Sequence, residues 1–179
     1  MTTAKTKSVK MTYKALYSYI LNTNYRSLSG VIGIIISLMS LAVLIFRFDA
    51  MSTQRRILFL VLALAFTVIN PLLLAFKAFR QYKLSPSYRK PLEYEFSDDG
   101  IKVAQGELSQ VIKWSDICRI LMTKSILAIY TGRMNAFVIP LSKLGDDKGK
   151  IIAAVVQFTA EYRPQVSRSL KEYQVGKGI

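Results

Sequence analysis

The sequence predicts a membrane α-helical hairpin of two transmembrane helices followed by a small α+β domain, on three observations. Two uninterrupted apolar runs, Ser29–Phe46 and Ile57–Phe76, contain no charged residue. Lys and Arg crowd both flanks of that pair. Beyond Pro91 the hydrophobic period falls to strict alternation, then returns to one helical stretch near the C-terminus.

The runs come first. At ~1.5 Å of rise per residue they make roughly 27 and 30 Å of helix, matching a hydrocarbon core of ~30 Å. Two buried helices of a soluble protein would be apolar all round only inside a large core, which the rest of the chain does not supply. The connection Arg47–Arg56 is short and polar, a turn between antiparallel helices. Before the first helix stand Lys5, Lys7, Lys10, Lys14 and Arg26, and after the second Lys77, Arg80, Lys83, Arg89 and Lys90, with no acid in either flank. The loop sets Arg47, Arg55 and Arg56 against Asp49. Positive side chains near helix ends stay on the cytoplasmic side, so both termini are expected there.

The same distribution accounts for the net charge of +14 and the pI near 10.0. A basic chain suggests nucleic acid. Residues 92–179, however, hold twelve Lys and Arg against ten Asp and Glu. The excess lies in the membrane flanks, where each cation gains ~1 kcal/mol from an anionic leaflet, and no nucleic-acid partner is expected. The first apolar run starts too far from the N-terminus for a secretory signal, so the helix is expected to be retained. The single cysteine, Cys118, excludes an intramolecular disulfide and a cysteine metal cage, suits a cytoplasmic domain, and reads as a small buried hydrophobe in a strand.

Four blocks follow: residues 1–28, a basic juxtamembrane lead-in; 29–76, the hairpin; 77–91, a basic linker; and 92–179, the small domain. In the lead-in, alternation over Lys5–Met11 predicts a short strand, and Thr12 caps a helix reaching about Asn22. Tyr13, Tyr17 and Ile20 share one face, suited to the membrane interface or to packing on the small domain. In the second span, Asn70-Pro71 predicts a kink, with the Asn70 amide either satisfying a freed carbonyl or meeting a partner. Gly33, Ser37 and Ser40 form a small-residue face for close packing, chiefly against the second helix.

After Pro91, Leu92–Phe96 alternates, Ser97-Asp98-Asp99-Gly100 is a turn, and Ile101–Val103 begins the return strand. Further strands are expected over Leu108–Trp114, Cys118–Met122, Ile126–Thr131 and Ala136–Leu141, with a hairpin turn at Gly132–Asn135. Asp146-Asp147 opens an amphipathic helix that ends at Pro164. The expected core is Phe96, Ile101, Val103, Ile112, Ile117, Leu121, Leu127, Ile129 and Val138 with the 151–158 helix face. Six or so antiparallel strands and one helix give an open twisted sheet closed at one end, a pleckstrin-homology-like arrangement.

The order of two apolar helices, Tyr94-x-Phe96-x-Asp98-Asp99-Gly100-Ile101, Ile112-x-Trp114-Ser115-Asp116-Ile117, Leu127-x-Ile129-Tyr130 and Phe137-Val138-Ile139-Pro140 resembles the YcxB-like family of bacterial membrane proteins. The resemblance extends over essentially the whole chain. It implies a membrane-anchored domain similar to bacterial pleckstrin-homology-like domains, and brings no reaction, cofactor or catalytic residue; the location expected for the chain is the bacterial inner membrane.

Candidate contact residues are Tyr13, Tyr17, Asn70, Lys77, Arg80, Lys83, Trp114 and Asp116. Trp114 reads chiefly as a ring covering the mouth of the sheet, and Asp116 as an acceptor for turn N–H groups, the alternative being a ligand platform with an adjacent carboxylate. Asp98-Asp99 is a turn without the further oxygens calcium requires. The chain has no histidine, no phosphate loop and no metal-ligand cluster, and Lys124-Ser125 point to opposite faces of a strand, so neither enzyme activity nor a cofactor is expected. Two function classes remain. One is an interaction module whose strand edge or sheet mouth docks a protein partner, such as a larger membrane complex. The other is a sensor of anionic lipid through Lys77, Arg80, Lys83, Lys113, Arg119 and Lys124, and a homo-oligomer built from the hairpin is a further reading. The near balance of charge in residues 92–179 favours the first.

Overall fold

The computed structural model describes residues 4–6, 8–85, 88, 90–132 and 135–162. The chain divides into a helical unit, Tyr17–Lys83, and a sheet unit made of the described residues up to Leu16 and from Leu84 onward. Arg133 and Met134 of the expected Gly132–Asn135 turn, and the helix stop at Pro164, lie outside the described residues.

Helix α1 is Tyr13–Tyr25. Thr12 starts it as expected, its Oγ1 accepting the Ala15 N–H at 3.2 Å. Ser27 caps α2, Leu28–Arg47, by accepting the Gly30 N–H at 3.1 Å. The second long helix runs over Thr53–Leu84 in three pieces: α3 (Thr53–Leu64), a π-helical turn (Ala65–Ile69) and α4 (Asn70–Leu84). It therefore continues past the apolar run at Phe76 and carries Lys77, Arg80 and Lys83 on the same helix. Both long helices are long and apolar enough to cross a membrane.

The disturbance expected at Asn70-Pro71 falls just before it, as the π turn. Proline has no N–H and its ring collides with the carbonyl four residues back, so the helix widens ahead of it, with the Asn70 N–H reaching back to Ala65 O. The Gly33, Ser37 and Ser40 face of α2 is buried. A Cβ on Gly33 would stand 2.2 Å from the Phe66 ring, so glycine lets that ring lie directly on the α2 backbone. The outward faces stay apolar and exposed, Met39, Phe46 and Leu72 among them.

The sheet unit holds seven strands in two antiparallel sheets. The first has the order β1 (Ala4–Lys5), β2 (Glu93–Ser97), β3 (Gly100–Gln105) and β4 (Leu108–Ile112). A 3-10 turn over Trp114–Asp116 carries the chain to the second sheet, β5 (Arg119–Met122), β6 (Ile126–Tyr130) and β7 (Ala136–Pro140). Two further 3-10 turns, Leu141–Lys143 and Gly145–Asp147, lead into α5, Lys148–Tyr162.

This differs from the expectation in one respect and extends it in another. The single open sheet is split, because the chain turns at Trp114–Asp116 instead of extending β4 to Trp114. The strand expected in the lead-in begins one residue early and adds to the first sheet, Ala4 pairing with Phe96 and Lys5 with Glu95. The expected Lys5–Met11 strand is interrupted at Ser8, whose φ of +34° breaks the extended backbone, and pairing resumes only as a bridge between Val9 and Leu92. Thr6 ties the first part down, its N–H donating to Tyr94 O at 2.7 Å and its Oγ1 accepting the Tyr94 N–H at 2.9 Å.

At the β2–β3 turn Gly100 has φ +146°, and a Cβ there would stand 2.2 Å from Ile112 O of β4, so both backbone angle and space demand glycine. All the expected core positions from Phe96 to Val138 are buried, with Ile151, Val155 and Phe158 of α5 among them. Ala4 and Val9 of the lead-in join the same core. Burial pushes the Tyr94 phenol above its ordinary pKa by penalising the charged form. Thr159 is buried with no partner for its Oγ1 among the described residues. Cys118 departs from the buried reading. It is exposed just ahead of β5, because Ile117 and Ile120 take the inward positions on either side of it.

Candidate functional site

The residues singled out in the sequence fall into separate groups. Trp114 is only 2 % exposed, its Nε1 donates to Ser97 O at 2.8 Å, and its ring stacks on Phe158 with centroids 5.1 Å apart. The turn that carries it thus inserts the ring between the first sheet and α5, a packing role. Asp116, on the same turn, is exposed and accepts from Ser115 Oγ at 3.2 Å. Tyr13 is partly exposed at the start of α1. Lys77, Arg80 and Lys83 are exposed along α4, with the Lys83 ammonium 4.9 Å from the Phe79 ring centroid.

Tyr17 and Asn70 belong to a polar seam inside the helical unit. The Tyr17 hydroxyl donates to Pro71 O at 3.5 Å, and Asn70 Nδ2 donates to Asn24 Oδ1 at 2.9 Å, so the Asn70 amide meets a second asparagine and not the carbonyl its neighbour frees. The π turn draws in two more side chains. Phe66 O would accept from Asn70 in an α-helix or from residue 71 in a π turn; the Asn70 N–H is committed to Ala65 O, and Pro71 has none. Tyr25 fills the place by donating its hydroxyl to Phe66 O. Ser37 of α2 enters the ladder one turn earlier, donating to Leu62 O at 2.9 Å and accepting the Phe66 N–H at 3.3 Å. These are the two groups an undisturbed α-helix would join directly. The roles of Asn24, Tyr25 and Ser37 have one readable signal, the proline that leaves a carbonyl without a donor.

In the sheet unit the most open element is β4. It has β3 on one side and no strand on the other among the described residues. Its sequence, Leu-Ser-Gln-Val-Ile, is free of charge, and four of its five residues are exposed. Leu108 is 79 % and Val111 55 % exposed. Natural edge strands are usually blunted by charge, proline or a bulge. Here an unblunted edge offers backbone hydrogen bonds together with apolar side chains. Among the described residues no three His, Cys, Asp or Glu side chains gather to hold a metal.

No curated protein and no solved structure matches the chain. A family model, that of YcxB-like protein, does match over residues 96–154, from Phe96 in β2 to Ala154 in α5, leaving both apolar helices outside the matched stretch, and over that stretch the chain is similar to YcxB-like proteins.

Proposed function

We propose that this chain is a non-enzymatic protein of a bacterial inner membrane, anchored by its helical hairpin, whose pleckstrin-homology-like sheet unit docks a protein partner along β4. The observation that carries the reading is the β4 edge, uncharged and exposed, with Leu108 and Val111 outermost. A partner segment in extended conformation adds there as a strand, the main chain supplying affinity and alternate side chains specificity. Anchoring confines the unit to a thin layer at the bilayer and raises its effective concentration toward membrane partners.

Several features support the membrane reading. The two long helices bury little of their apolar surface within the protein, which in water would leave apolar patches far larger than soluble proteins carry. Pairing of Ala4 with Phe96 joins residues before the first helix to residues after the second, so both ends lie on one side of any membrane the hairpin crosses. The acid-free basic flanks favour the cytoplasmic side.

A photo-crosslinking residue placed at Val111 in cells is expected to give a discrete adduct, absent when it stands at Lys102 within β3. The L108K/V111K variant should abolish partner capture while keeping the wild-type thermal midpoint. Capture undiminished in that variant would refute docking at β4. Topology has its own reporter in the exposed Cys118. An impermeant maleimide should spare it in intact cells and modify it after permeabilisation, and labelling from outside would reverse the assignment.

A further inference from the structure

A second feature of the sheet unit is independent of the β4 edge. A cleft of about 490 Å³ opens where the start of α1, the β5–β6 turn, the Leu141–Lys143 turn and the start of α5 meet. Each of these four segments sends one lysine to its wall: Lys14, Lys124, Lys143 and Lys148. The hydroxyl-bearing Thr12, Ser125 and Ser142 also line it, and among the described residues no carboxylate does. At the start of α5 the Asp147 carboxylate pairs with Lys150 at 3.9 Å, and among the described residues none of the four lysines forms an ion pair with a carboxylate.

The convergence stands out against its surroundings, because residues 92–179 nearly balance twelve Lys and Arg with ten Asp and Glu. Four cations around one concavity repel one another, and an anion seated among them relieves that repulsion. Lysine ammoniums act as movable point charges suited to phosphate oxygens, and hydroxyls add donors for the same oxygens. A cavity of this size takes a small ligand and not a polymer. We infer that this cleft is a binding site for a phosphate-bearing ligand, a phosphomonoester or pyrophosphate group, carried either by a lipid headgroup or by a soluble molecule.

The full chain in phosphatidylcholine nanodiscs provides the test, with lysine acetylation followed residue by residue. One arm adds inorganic pyrophosphate to the solution, and the other includes phosphatidic acid in the disc. Acetylation of Lys14, Lys124, Lys143 and Lys148 should slow about tenfold in at least one arm, while the exposed Lys102 and Lys113 react as before. Protection by phosphatidic acid alone identifies a lipid ligand, and protection by pyrophosphate alone a soluble one. The K124Q/K143Q variant should bind about tenfold more weakly with an unchanged thermal midpoint, both side chains being exposed. Absence of protection in both arms, equal protection at Lys102 and Lys113, or wild-type binding by K124Q/K143Q would each overturn the inference.

Discussion

The helical unit and the sheet unit hold themselves together by opposite means. In the sheet unit apolar side chains from two sheets and α5 meet in one core, and a polar group such as the Trp114 indole finds a carbonyl at its margin. In the helical unit the apolar side chains largely face outward, and the contacts between helices are small residues and hydrogen bonds: Phe66 on Gly33, Ser37 inserted in the ladder, Tyr25 on Phe66 O, Asn70 on Asn24. On the membrane reading proposed above, the difference follows from the solvent each arrangement suits. Water drives apolar groups together, whereas lipid is indifferent to them, so that close backbone approach and satisfied polar groups decide the fold.

That contrast can be broken in order of expected effect. Gly100→Ala should be the most damaging change, since the new Cβ meets the β4 backbone at 2.2 Å while φ is held at +146°. A loss of at least about 4 kcal/mol is expected in chemical denaturation of the sheet unit. A variant that keeps its midpoint would mean that β3 and β4 separate easily. Trp114→Ala comes next, at about 3–5 kcal/mol, because it empties the space beside Phe158 and removes the bond to Ser97 O.

On the helical side Ser37→Ala removes two hydrogen bonds yet should cost only about 1 kcal/mol. The reason is that Phe66 N–H and Leu62 O can then join each other. Unfolding in mixed micelles measures the loss. A loss as large as that of Trp114→Ala would show that the seam, and not shape, dominates the hairpin. The smallest effect has the opposite sign. Thr159→Val keeps the shape and deletes a buried hydroxyl that has no partner among the described residues, so the thermal midpoint should rise by the equivalent of about 1 kcal/mol. A fall would reveal a partner for that hydroxyl.

Local patterns were legible in the sequence and long-range ones were not. The apolar runs, the Thr12 cap, the strands from β2 to β7 and their inward positions follow from periods of 3.6 and two, which need only neighbouring residues. A short strand was legible in the lead-in, but its pairing with β2 was not, because the partner lies far along the chain. The π turn needs the combined demands of Pro71, Tyr25 and Ser37. Cys118 departs from the buried expectation because a short 3-10 turn shifts the alternation that would bury it. The β4 edge was legible as a strand and not as an edge, since exposure depends on which strand stops the sheet. The lysine cleft lay wholly beyond reach: Lys14, Lys124, Lys143 and Lys148 become neighbours only once both ends of the chain have folded together.

The bond from Thr6 to Tyr94 spans 88 positions of sequence, and the whole hairpin lies between its two ends. During synthesis at about 5–20 residues per second, Thr6 waits roughly 4–18 s for its partner to be made. Both apolar helices emerge in that interval. The first sheet therefore cannot take up β1 on a nascent chain until both apolar helices have been made. Strand β1 is thus a latch that can shut only when β2 arrives.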